Sequence, residues 1–69
     1  MMKNKYIWKT KDNEIISCDE KIKVLNENLN EVENLIQNVF DDALLMGCDQ
    51  FDVKIKFIKI IKKIKYSFD

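Results

Sequence analysis

The chain has no proline, no histidine and no arginine, and its single glycine is Gly47. With so few residues suited to sharp corners, the backbone is biased towards long helices. Without histidine, zinc would have to find its ligands among two thiols and scattered carboxylates, so a structural zinc site is not expected. The two cysteines, Cys18 and Cys48, are too few and too far apart for the disulfide framework of a small secreted scaffold. Long apolar runs are missing as well: the longest is Ala43 to Met46, far short of the roughly 18 residues that span a bilayer. Met1 to Thr10 holds lysines but no apolar stretch of signal-peptide type, so a reducing cytoplasm with free thiols is the expected setting.

What is present is a chain of 69 residues, 46% hydrophobic and 35% charged, with twelve lysines against twelve acids. Domains typically run to about 100 to 150 residues, so a single small domain over 1–69 with a thin core is expected, and multi-domain enzymes are excluded. The composition is too apolar for a disordered segment and too charged for a membrane span.

Residues 5–17 place two short aromatic or β-branched runs on either side of Lys11-Asp12-Asn13. Asp and Asn tolerate left-handed backbone, so the segment predicts a β-hairpin. Such a ribbon is marginal alone, and Tyr6, Trp8, Ile15 and Ile16 should lie against something larger. Ser17-Cys18-Asp19-Glu20 then has the S-x-x-E form of a capping box, which predicts a helix over 18–46. Apolar residues follow at Ile22, Leu25, Leu29, Val32, Ile36, Val39, Ala43 and Met46, in alternating steps of three and four. That is the seam of a heptad repeat. Val24, Leu35, Phe40, Leu44 and Leu45 widen it, and a stripe so broad packs on more than one neighbour.

Gly47 suits the left-handed residue that closes a helix, and Asp49 suits the cap of a second one over 50–67. Val53 to Phe57 alternates with period two, like a strand. Projected at 100° per residue, however, Val53, Phe57, Ile60, Ile61, Ile64 and Phe68 share one sector, with Lys56, Lys59, Lys62 and Lys63 opposite. The helix accounts for more residues; Ile55, Ile58 and Tyr66 lie off the stripe and keep the strand open as an alternative. The expected fold is mainly α, an antiparallel helical hairpin preceded by a short β-hairpin.

Val24-Leu25-Asn26-Glu27-Asn28-Leu29 and Ala43-Leu44-Leu45-Met46-Gly47-Cys48-Asp49 resemble segments of short alphaproteobacterial proteins of unknown function. The resemblance covers residues 17–50, with the segment around Trp8 and Asp12-Asn13 as an extension. It implies no catalytic residue, and the lysine-rich end after Val53 departs from it.

The clearest functional signal is the distribution of charge. Val24 to Asp52 carries seven acids and no lysine, whereas Val53 to Tyr66 carries six lysines and no acid. Lys54, Lys56, Lys59, Lys62, Lys63 and Lys65 could bind phosphate on nucleic acid or an anionic surface. The plainer reading is a solvated face balanced by the acidic helix, because nucleic-acid domains usually show net positive charge with arginine. Lipid binding would need the same isoleucine stripe that the first helix needs as its core partner.

The seam supplies the second candidate: Leu25, Leu29, Val32, Ile36, Val39 and Phe40 as a partner-binding surface. Its alternative is an intramolecular core between the two helices. A first helix of about 28 residues runs about 42 Å and the second about 27 Å, leaving roughly a third of the seam for the hairpin or another subunit. Pairing two helical hairpins into a four-helix bundle is a common remedy for so slight a core. A homo-oligomer or a larger protein partner is therefore expected.

Three lesser candidates complete the survey. Cys18 at a helix start, with Lys21 nearby, has the setting of a reactive thiol, against the plainer reading of a semi-buried structural cysteine. Asp41, Asp42, Asp49 and Asp52 could gather a divalent cation, or simply pair with lysines of the next helix. Trp8 and Tyr6 beside Lys3, Lys5, Lys9 and Lys11 could stack on bases, but an aromatic closing one end of a small core is commoner. No nucleophile with a base and no phosphate loop is present, so no enzyme activity, catalytic residue, metal or cofactor is expected.

Overall fold

The computed structural model describes Tyr6 to Phe68. Two helices make up most of it, α1 over Asp19–Leu45 and α2 over Gln50–Lys63, and no strand occurs among the described residues. The chain divides into two compact units, Met1–Asn34 and Leu35–Asp69, so α1 begins in the first and ends in the second.

The first unit starts with a turn, and here the expected β-hairpin over 5–17 is not formed. Thr10 N–H donates to the Glu14 carbonyl and Ile16 N–H to the Trp8 carbonyl, each at 2.8 Å. These bonds make one isolated antiparallel bridge, Lys9 to Ile15. On the turn side the Thr10 side chain stops the ladder: its Oγ1 accepts from the N–H of both Asp12 and Glu14 at 3.2 Å, so the Glu14 amide does not return to the Thr10 carbonyl. A side chain serving backbone donors in this way competes with the sheet. Asn13 takes the left-handed conformation, φ 68°, that the turn demands. Lys5, the first residue of the expected hairpin, lies outside the described residues.

Trp8 ties this turn to α1. Its indole N–H donates to Asn26 Oδ1 at 2.7 Å, and Trp8, Ile16, Ile22, Leu25, Asn26 and Leu29 are each half-buried. The ring of Tyr6 stands edge-on to Trp8 with centroids 6.3 Å apart. The start of α1 also departs from expectation. Ile22 N–H donates to the Cys18 carbonyl at 3.0 Å, so Cys18 holds the capping position. No hydrogen bond joins the Ser17 side chain to an amide among the described residues, and the capping box is not made. Asp19 and Glu20 in the first turn still complement the helix dipole.

The second unit is an antiparallel pair made by the end of α1 and all of α2. Gly47, at φ 95°, closes α1 in a Schellman arrangement: Cys48 N–H donates to the Ala43 carbonyl and Gly47 N–H to the Leu44 carbonyl, each at 3.0 Å. Asp49 caps α2, its Oδ2 accepting from the Asp52 amide at 2.9 Å. Residues 53–57 are helical, which resolves the period-two ambiguity. Val53 packs inward and is 7% exposed, with Ile36, Phe40, Ala43 and Phe57 half-buried. The isoleucine stripe goes no further than that. Ile60, Ile61, Ile64 and Phe68, expected against the first helix, are exposed. The helix also stops at Lys63, short of residue 67: Ile64 turns extended, its N–H held by the Ile61 carbonyl, and Tyr66 and Phe68 pair edge to face at 5.6 Å. Lys62 and Lys63 stand in that last turn, where the dipole favours cations.

Candidate interaction surface

The seam residues divide into two groups. Leu25, Leu29, Ile36 and Phe40 are half-buried within the chain, whereas Val32 and Val39 are exposed. Helical projection explains the division. At 100° per residue, Ile22, Leu25, Leu29, Ile36, Phe40 and Ala43 share a sector about 60° wide, and Val24, Val32, Leu35, Val39 and Met46 fill an adjoining sector of about 80°. The first sector is covered and the second is open. Leu35 had served only as a flank of the seam, and it is 64% exposed. The signal for these open positions was in the sequence all the same: Val32, Val39 and Met46 recur every seven residues within the seam, and Leu35 stands four residues before Val39.

The lysines are not one equivalent set. Lys54 Nζ lies over the Phe40 ring, 5.7 Å from its centroid, a cation–π contact worth about 0.5–1 kcal/mol at an exposed site. Lys56 Nζ pairs with Asp52 at 2.7 Å, one turn back on α2. Lys59, Lys62 and Lys63 are exposed on α2, and Lys65 lies past its end. Ile36, Gln37, Phe40, Lys54 and Phe57 line a shallow groove along one flank of the pair. In the first unit, Glu20, Lys21, Val24 and Leu25 line another open depression.

The acids are dispersed. Asp49 caps α2, Asp52 holds Lys56, and Asp41 accepts from Gln37 Nε2 at 3.0 Å. No group of three or more metal-ligating side chains comes together among the described residues, so the four aspartates do not form the cation cluster considered from sequence. Cys18 and Cys48 are both free and both exposed, which corrects the reading of Cys18 as semi-buried. Trp8 spends its indole N–H on Asn26 and closes the end of a small apolar cluster, the structural role weighed above. Lys3 and Lys5 lie outside the described residues. No helix among the described residues is long and apolar enough to cross a membrane.

Among the described residues, eighteen large hydrophobic side chains are exposed and one, Val53, is buried. Comparison with known proteins finds no matching family model, no matching curated protein and no matching solved structure.

Proposed function

We propose that the chain is a small non-enzymatic interaction module that docks to protein through an apolar face along α1. The observation that carries this reading lies in the second unit: Leu35, Val39 and Met46 are exposed on one side of Ile36, Phe40 and Ala43, which the chain covers itself. Exposed apolar patches on soluble proteins mark sites that bind something. The free, exposed thiols fit a reducing compartment.

The test is a pair of aspartate substitutions, Leu35→Asp and Val39→Asp, in a protein whose association is followed by sedimentation velocity alone and in extract of its own cell. Loss of the associated species with helical content unchanged is the expected result. Association that survives both substitutions contradicts the reading.

Binding to nucleic acid or another anionic surface is the second reading, favoured by the exposed Lys59, Lys62 and Lys63. Its signature is affinity that falls steeply with salt, and no binding to DNA or RNA at about 50 mM salt removes it.

A further inference from the structure

The last turns of α2 and the residues after it form a patch that is apolar and basic at once. Projected at 100° per residue, Ile58, Ile60 and Ile61 fall within a sector about 160° wide, and Lys59, Lys62 and Lys63 fill the opposing sector of about 100°. All six are exposed. The segment that follows adds Ile64, Tyr66 and Phe68, which are 72%, 69% and 85% exposed, together with Lys65. From sequence, lipid binding competes with α1 for the isoleucine stripe. The structure removes that competition: coverage stops at Val53 and Phe57, and the stripe beyond them stays open.

We propose that this patch, residues 58–68, docks on an anionic lipid surface, its isoleucines and aromatics entering the headgroup boundary and its lysines meeting the lipid phosphates; the inference rests on the anionic-surface reading above. The occupant follows from charge. Over 58–69 the chain carries four lysines and one acid, Asp69, which lies outside the described residues. Among the described residues no ion pair holds any of the four, whereas Lys56 is neutralised by Asp52. Asp49 and Asp52 stand at the opposite end of α2, and Asp41 and Asp42 sit near the same turn on α1. Lys62 lies ten residues beyond Asp52, about 15 Å along the helix. That exceeds the screening length of about 8 Å at physiological salt, so these acids do not cancel the patch. The interleaved apolar side chains favour a bilayer over nucleic acid. A phosphate backbone would pair with the lysines and leave Ile61 and Ile64 in water, whereas a headgroup boundary takes up both, the lysine stems keeping their ammonium groups at headgroup level. Tyr66 and Phe68, edge to face, add an apolar body with a hydroxyl suited to the wet side. The arginine on which nucleic-acid domains usually rely is absent.

Co-flotation of the full chain with phosphatidylcholine vesicles, containing phosphatidylserine or lacking it, tests the assignment. Binding to the phosphatidylserine vesicles alone, at about 50 mM salt and falling as salt is added, is the expected result. Lys62→Gln/Lys63→Gln removes two charges at the surface and should weaken binding about thirtyfold. Ile61→Ser/Ile64→Ser changes side chains that are already exposed, and should weaken binding at least about tenfold with helical content unchanged. Equal binding to vesicles with and without phosphatidylserine, or binding that ignores either pair of substitutions, overturns the proposal.

Parallel titrations with duplex DNA and single-stranded RNA separate this inference from the reading beneath it. Binding to nucleic acid and not to vesicles overturns the lipid surface while keeping the anionic-surface reading, and binding to none of them overturns both. Where the chain binds vesicles and nucleic acid alike, Ile61→Ser/Ile64→Ser decides: loss on vesicles alone upholds the lipid surface, and the same change on both overturns it.

Discussion

The two units of this chain differ in apolar content, 13 residues of 34 against 19 of 35, and are held in different ways. In the first, a half-buried Trp8 hydrogen-bonded to Asn26 holds a turn against α1, and no side chain among the described residues is fully buried. In the second, two capped helix ends bring Val53 inward to 7% exposure. Burial of an apolar side chain contributes about 1.5–3 kcal/mol, whereas a hydrogen bond open to water contributes about 0.5–1.5 kcal/mol net. Packing therefore dominates the second unit and one directional contact dominates the first. Both units leave apolar side chains in water.

Val53→Asp is the largest expected break in the comparison. It places an unpaired charge at the one buried position among the described residues and should cost more than about 3 kcal/mol, read as a fall in the thermal midpoint of the helical signal. Gly47→Ala comes next. Nothing lies within 4 Å of the added Cβ, so the cost is that of holding an L-residue at φ 95°, about 1–2 kcal/mol. Asp49→Ala removes the α2 cap and should cost about 1 kcal/mol by urea titration. The smallest effect is Asn26→Ala, about 1 kcal/mol or less and confined to the first unit. Because Trp8 is the single tryptophan, its fluorescence should shift in that variant while the far-ultraviolet helical signal barely changes. An equal loss of both signals would show that the two regions are not held separately.

The helices could be read from the sequence because each is announced by several agreeing features. Gly47 and Asp49 have one role each at the turn between α1 and α2, and a heptad spacing sustained over Ile22 to Met46 fits no strand. The turn at Lys11 to Asn13 was legible too, through Asn13, but the strands around it were not. Pattern alone gave no sign that the Thr10 hydroxyl would take amides that a ladder needs. Ser17 and Glu20 matched a capping box while the helix started one residue later, the usual limit of boundary reading. Which part of the apolar stripe would be covered depends on where α2 ends. Lys62 and Lys63 suit a helix C-terminus as well as they suit its exposed face, so the spacing could not decide it. Leu25, Leu29, Ile36 and Phe40, named from sequence for a partner-binding surface, are accordingly half-buried, while Leu35 and Val24, named only as flanks of the seam, are exposed.

Sedimentation velocity of the full chain, alone and in extract of its own cell, is the most direct test of the account, since it reads the association that the open face of the second unit is proposed to mediate. A species heavier than 8.3 kDa in either setting, lost in Leu35→Asp, is the predicted result. A monomer in both settings, with Leu35→Asp indistinguishable from the parent, would contradict it.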